Sequence, residues 1–150
     1  MADIGFYHLT YSSIDRALPK LLAKVLQGGF KVLVLTISEE KTAFIDNLLW
    51  TYDPASFLPH GSDKDGNKEL QPIYISDKFE NPGAANVVVI TDGVQAPIEQ
   101  FERVIDIFDG NDNEQVMQAR SRWKDYKANG HNLDYFQQSE SGSWVKKATS

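Results

Sequence analysis

A chain of 150 residues fits one well-packed domain and leaves too little sequence for a second core of useful size. Its formal net charge of -6 argues against a protein whose main task is to grip nucleic acid, since that binding is driven by releasing counterions to Lys and Arg, so no direct DNA binding is expected. The absence of cysteine excludes disulfides, thiolate zinc sites and a cysteine nucleophile, and fits a reducing compartment.

Met1-Ala2-Asp3 leads straight into an apolar pattern without the basic stretch of a signal peptide, and no apolar run approaches the roughly 18 residues that span a bilayer. The chain is therefore expected in the cytoplasm and away from membranes. Ile4 to Thr10 reads as a first strand. Ser12 and Ser13 offer N-cap oxygens, and Ile14, Leu18, Leu21, Leu22, Val25 and Leu26 recur at helical spacing. Pro19 inside that pattern either delays the helix to about Ala17 or kinks it, and Gly28-Gly29 ends it. Lys31 to Thr36 is apolar without alternation, the mark of a strand covered on both faces. Ser38 can cap the next helix, whose buried side is Phe44, Ile45, Leu48 and Leu49.

Gly61 to Gln71 is a polar loop. Pro72 to Ile75, Asn86 to Thr91 and Phe101 to Phe108 read as three further strands, the last with Val104 and Asp106 on one face and Arg103, Ile105 and Ile107 on the other. Asp112 or Asn113 opens a last helix that runs to about Ala128 and closes at Asn129-Gly130. Strands alternating with helices give an α/β fold, a three-layer α/β/α sandwich on a mainly parallel sheet of about five strands. One domain is expected over residues 1–138, followed by a flexible Ser/Gly/Lys-rich tail over 139–150 in which Trp144 has no evident place.

A doubly wound sheet makes a nucleotide site the first idea to test. The turn after the first strand, Thr10-Tyr11-Ser12-Ser13, has no glycine to admit a pyrophosphate, so the fold is Rossmann-like without nucleotide motifs. His8, His60 and His131 lack metal-ligand spacing, no serine sits in a Gly-x-Ser-x-Gly elbow, and Asp106, Asp109 and Asp112 lack the alternation of a cation loop. No cofactor, metal or catalytic residue is expected. An active site assembled from distant residues at the carboxyl edge of the sheet, as in a nucleotide-binding or hydrolytic α/β domain, is the alternative.

Two segments look made for partners. Val116 to Ala128 holds Arg120, Arg122, Lys124 and Lys127 against Asp125 alone, a local +3 in an acidic protein, and Arg120, Trp123, Lys124 and Lys127 share one helical face. A solvated face that suits the helix dipole is the plain explanation; a pocket in which cations take carboxylates beside an indole wall is the sharper one. Trp50, Tyr52, Phe57 and Leu58 crowd a connector stiffened by Pro54 and Pro59. It reads either as a loop folded over the core or as a rigid aromatic patch that buries a partner.

At these segments the chain resembles the chi subunit family of bacterial DNA polymerase III. The likeness rests on the opening Ile4-Gly5-Phe6-Tyr7-His8-Leu9, on Leu48 to Gly61 (Leu-Leu-Trp-Thr-Tyr-Asp-Pro-Ala-Ser-Phe-Leu-Pro-His-Gly), and on Ala119 to Leu133 (Ala-Arg-Ser-Arg-Trp-Lys-Asp-Tyr-Lys-Ala-Asn-Gly-His-Asn-Leu). It covers roughly residues 3 to 136, apart from the loop around Ser62 to Leu70. The resemblance implies a non-catalytic clamp-loader subunit that binds the acidic, phenylalanine-terminated tail of single-stranded DNA-binding protein. It assigns tail binding to Arg120, Trp123, Lys124, Gly130 and Asn132. It assigns docking of the small partner subunit psi, or an equivalent, to Trp50, Phe57, Pro59 and His60, a surface that some relatives use for a repair helicase. Family members often carry Tyr at the position of Trp123, and some carry a basic residue where this chain has Val116.

Overall fold

The apolar runs pair into one sheet. In the computed structural model, which describes residues 3–10, 13–51, 60–62, 72–81, 84–96, 98–141 and 143–149, the elements are β1 (Asp3–Leu9), α1 (Ile14–Gln27), β2 (Val32–Leu35), α2 (Glu39–Thr51), β3 (Gly61–Ser62), β4 (Ile73–Ser76), β5 (Val87–Thr91), β6 (Arg103–Asp109), α3 (Asn113–Ala128), β7 (Asn132–Gln138) and β8 (Trp144–Thr149). The eight strands run in the order β3-β4-β2-β5-β6-β1-β7-β8, every neighbouring pair parallel except β7 and β8. Among the described residues, no helix is long and apolar enough to cross a membrane.

Period two decides which residue faces which helix. Val32, Val34, Val87, Val89, Ile105 and Ile107 form one apolar cluster with Leu18 and Leu22 of α1 and Ile45 and Leu49 of α2. Their neighbours Leu33, Leu35, Val88, Ile90, Val104 and Phe108 belong to a second cluster with Ile4, Phe6 and Ala119 of α3. β2 and β5 are buried at every residue, which explains runs of Val, Leu and Ile without alternation.

The expected α/β class and parallel sheet are present, and several local expectations change. The sheet has eight strands rather than about five, because β3, β7 and β8 carry no apolar run. The stretch after residue 138 contains β8: Trp144 pairs with Gln138 and packs edge-on against Tyr7, ring centroids 5.0 Å apart, while the Lys146 ammonium lies 3.5 Å from the Asp134 carboxylate. Lysines on this outermost strand discourage further edge pairing. Helix α1 begins at Ile14 and carries Pro19 buried in its interior; the Ser13 hydroxyl donates to Asp15 rather than accepting from a helix N–H. Phe44, expected on the buried side of α2, is 47% exposed beneath the Lys41 ammonium and Leu48 is half-buried, while Ile45 and Leu49 are sealed. Ser38 Oγ does accept from the Lys41 N–H, at 3.2 Å.

Helix α3 is held by few apolar contacts. Asp112 caps it, accepting from the N–H groups of Glu114 (3.0 Å) and Gln115 (3.3 Å), yet Ala119 is its one fully buried residue. Val116, Trp123 and Tyr126 reach the second cluster half-buried. The remaining hold is ionic. Asp106 lies on the α3 side of β6 with its side chain fully sealed, and Arg122 grips it by two bonds, Nε to Oδ2 at 2.7 Å and a terminal nitrogen to Oδ1 at 2.9 Å. Burial pushes the Asp106 carboxyl up and the Arg122 bonds oppose that. The guanidinium lies against Gly93, where φ is +71° and an added Cβ would come within 2.9 Å of it. Burial, followed by the Asp106 charge, pushes the neighbouring Tyr126 hydroxyl up to about 12.

Removing one partner of such a pair strands a buried charge, whereas replacing both with apolar groups costs little. Arg122→Ala should therefore lower the unfolding free energy in urea by about 3 to 5 kcal/mol, while Asp106→Leu with Arg122→Met should stay near the parent value. Equal losses in the two variants would contradict this account of how α3 is held.

Candidate functional site

The residues expected to bind a partner's tail fall on α3, on the turn behind it and at the start of β7. Arg120, Lys124 and Lys127 are exposed, and Trp123 is half-buried at the border of their face. Its indole meets Phe6 edge-on at 5.4 Å between centroids and Tyr135 at 5.9 Å, so it is part floor and part surface. Arg122, counted with the cations in the sequence, is consumed by Asp106 and contributes no open charge. Three outward cations remain, spaced over about 10 Å of helix at 1.5 Å per residue.

The turn follows the chemistry of a helix end. Asn129 N–H donates to the Asp125 carbonyl (3.1 Å) and Gly130 N–H to that of Lys127 (3.1 Å). Gly130 is exposed with φ of +83°, the left-handed conformation that ends many helices. His131 is buried edge-on against Tyr126. Asn132, at the first position of β7, is exposed and donates from Nδ2 to the Asp3 carboxylate at 2.9 Å. Asn132 pairs with Asp3 and Tyr135 with Phe6, so Asn132 lies about 10 Å along the strand from Tyr135 at roughly 3.3 Å per residue. Arg120, Trp123, Lys124 and Gly130 thus follow one stripe along α3 and the turn behind it, whereas Asn132 alternates away from Leu133 and Tyr135 and spends its amide on Asp3 at the opposite face of β7.

Sequence reasoning missed two residues beside Arg120. His8 of β1 and Tyr135 of β7 project onto the α3 side of the sheet, with His8 Nδ1 2.5 Å from the Tyr135 hydroxyl. Burial lowers the His8 pKa, and the Arg120 charge lowers it further; burial raises that of Tyr135, against the pull of Arg120. The period-two position of His8, after Ile4 and Phe6, was the one signal that pointed here.

The residues assigned to the second partner surface are less completely placed. Trp50 falls in the last turn of α2 with its side chain outside the described residues, and Phe57 and Pro59 also lie outside them. His60 is sealed, its Nε2 3.2 Å from both the main-chain carbonyl and the carboxylate of Asp46, and so ties the start of β3 to α2.

The carboxyl edge of the sheet, where an open α/β fold would hold a nucleotide, contains a cavity of about 360 Å³ lined by Leu9, Ile14, Lys41, Asp92, Asp109 and Gln115 among others. Its polar groups serve local turns. The Asp109 carboxylate accepts from the Asn111 N–H at 2.9 Å, and Gln115 Oε1 accepts from the Asp109 N–H at 3.0 Å. Asp92 has φ of +53° at the tight turn before Gly93. Among the described residues, no group of three or more His, Asp or Glu side chains stands together as a metal site would need.

Comparison with known proteins points to one family. The family model described as DNA polymerase III chi subunit, HolC, matches residues 1–134. The probable DNA polymerase III subunit chi of Rickettsia prowazekii is 31% identical over 156 aligned positions, covering 99% of this chain and 93% of that one. The DNA polymerase III subunit chi of Haemophilus influenzae is 30% identical, covering 85% and 92%, and that of Escherichia coli K12 is 23% identical, covering 82% and 84%. The chain belongs to the DNA polymerase III chi subunit family.

Proposed function

We propose that this chain is a cytoplasmic, non-catalytic adaptor that binds the acidic, phenylalanine-ending tail of single-stranded DNA-binding protein and tethers it to the clamp loader. Membership of the chi family supports an accessory part in replication. The observation that carries the finer reading is the outward trio of Arg120, Lys124 and Lys127 beside the half-buried indole of Trp123, on a helix pinned by a bidentate ion pair. Cations in an otherwise acidic protein draw carboxylates, and a partly open indole against Phe6 and Tyr135 offers an apolar end group a flat contact. Gly130 ends the same stripe with no side-chain bulk, and Asn132 two residues on offers it main chain rather than its amide, which Asp3 holds. Val116 is half-buried in the second apolar cluster and adds no charge there. Psi, or an equivalent subunit, docks at the far end of α2 through Trp50, Phe57 and Pro59, with His60 holding that connector's end in place; a repair helicase is the other candidate for this surface.

The carboxyl-edge cavity supports a second reading, a ligand-binding α/β domain. A nucleotide held there at 100 times its dissociation constant would stabilise the fold by about 2.7 kcal/mol, and a thermal shift scan would show it. The adaptor reading expects no shift.

Arg120→Ala should weaken a synthetic acidic peptide ending in phenylalanine by about 1.5 to 3 kcal/mol in calorimetry, the scale of a charge-assisted hydrogen bond. Unchanged affinity would remove Arg120 from the site. Trp50→Ala should leave peptide affinity intact and abolish co-purification with psi, because the two surfaces lie on different elements; loss of both would show that the substitution unfolds the domain.

A further inference from the structure

The α3 face carries a proton acceptor where a simple cationic groove needs none. On β1, Ile4, Phe6 and His8 point to the α3 side in succession, so His8 extends the floor under Trp123 toward the carboxyl edge. The ring is closely seated. It faces Phe108 of β6 at 5.1 Å and Tyr135 of β7 at 5.8 Å between centroids. Its Nε2 edge lies on the backbone at Gly110, where any Cβ would overlap the imidazole and the Leu9 carbonyl, so only glycine lets the ring approach. The bond between the ring and the Gly110 backbone favours the charged imidazole, which makes the ring the donor there. The other nitrogen, Nδ1, meets the Tyr135 hydroxyl.

This arrangement has two proton states with opposite faces. With His8 neutral and Nε2–H given to Gly110, Nδ1 is an acceptor, so the Tyr135 hydroxyl must donate to it. The phenol then turns only lone pairs outward, beside Arg120, and repels a carboxylate. When Nδ1 takes up a proton, both ring nitrogens donate. The phenol now accepts from Nδ1–H, and its own hydrogen is free to turn outward.

We propose that His8, Tyr135 and Arg120 form one proton-linked carboxylate receptor, in which uptake of a proton at His8 Nδ1 turns the Tyr135 hydroxyl into a donor for an acidic residue of the bound peptide. This rests on the reading of the α3 stripe as an acidic-peptide site. The charged groups that face His8 are Arg120 from α3, which opposes its protonation, and Asp109 from the end of β6, which favours it. A carboxylate lodged against Arg120 cancels the first of these influences. Peptide binding and protonation therefore help each other, and by linkage each strengthens the other to the same degree. His8 and Tyr135 are both partly exposed, so a peptide on the stripe can reach them.

The test uses the full chain and a synthetic acidic peptide ending in phenylalanine, titrated by calorimetry at about pH 7.5 and about pH 5.5, either side of an ordinary histidine and above the range where peptide carboxylates protonate. Binding should be several-fold tighter at the lower pH, short of the roughly tenfold that one pKa unit of linkage allows, because a free His8 held below the ordinary histidine value is only part-protonated there. His8→Leu should bind equally at both, and Tyr135→Phe should show a reduced difference. In the parent chain the NMR titration midpoint of the His8 ring should rise by about one unit on saturation with peptide, a readout that needs no variant to fold. A parent affinity that is the same at both pH values, a pH difference that persists in His8→Leu, or an unmoved His8 midpoint each overturns the proposal and leaves the peptide site standing. Absence of binding at either pH overturns the peptide site, and this inference with it.

Discussion

A buried ion pair, with Trp123 and Tyr126 wedged beside it, orients helix α3 on the sheet, and the geometry of the candidate site follows from that hold. Its surface is nearly all polar, with Ala119 alone fully buried, so apolar packing does not fix its rotation as it does for α1. Arg122 closing on Asp106 fixes it instead, and Trp123 and Tyr126 bear on Phe6 from either side of the same turn. With Arg122 turned inward, Arg120 and Lys124, two positions to either side, are left exposed, Arg120 still near enough to His8 and Tyr135 for its charge to act on both. A buried ion pair is a poor source of net stability, because desolvating two charges costs about what their attraction returns. Its value here is positional: it sets which cations meet water and leaves an indole edge beside them.

The same economy applies on the sheet below. β1 lies between β6 and β7 near one side of the sheet, and its alternating residues carry the floor of the stripe: Phe6 under Trp123 and His8 under the neighbourhood of Arg120. Gly110 and Gly93 make room from below and from the side, the first for the imidazole and the second for the Arg122 guanidinium. Each is a place where a β-carbon would push that side chain out of position. The acidic balance of the chain then gives the stripe contrast, since its cations stand out against a surface that repels polyanions at long range.

Much of this was legible in the residues. β2 and β5 announced themselves as unbroken apolar runs, α3 by its Asp112 cap and Asn129-Gly130 stop, and the outward cations by helical spacing. β7 and β8 were not, because Asn132–Gln138 and Trp144–Thr149 mix polar and aromatic residues at the margin of the sheet, where one strand face is half-open and the pairing supplies what hydrophobicity does not. Phe44 was misplaced because helical periodicity names a face without saying how wide the cover above it is. The division of labour between Arg120 and Arg122 was hidden for a different reason: residues two apart on a helix point in different directions, but only the register of β6 shows that Asp106 waits for one of them. The pairing of His8 with Tyr135 spans 127 positions in the chain and has no local signature at all.

The central claim, that the α3/β7 stripe receives an acidic chain end, is tested most directly by mapping amide NMR shifts while an acidic peptide ending in phenylalanine is titrated into the isotope-labelled chain. The account predicts shifts concentrated on residues 117–127, on Gly130 to Asn132, and on His8 and Tyr135. Shifts gathered instead around Ser13, Lys41 and Asp92 at the carboxyl edge, or none at saturating peptide, would contradict it.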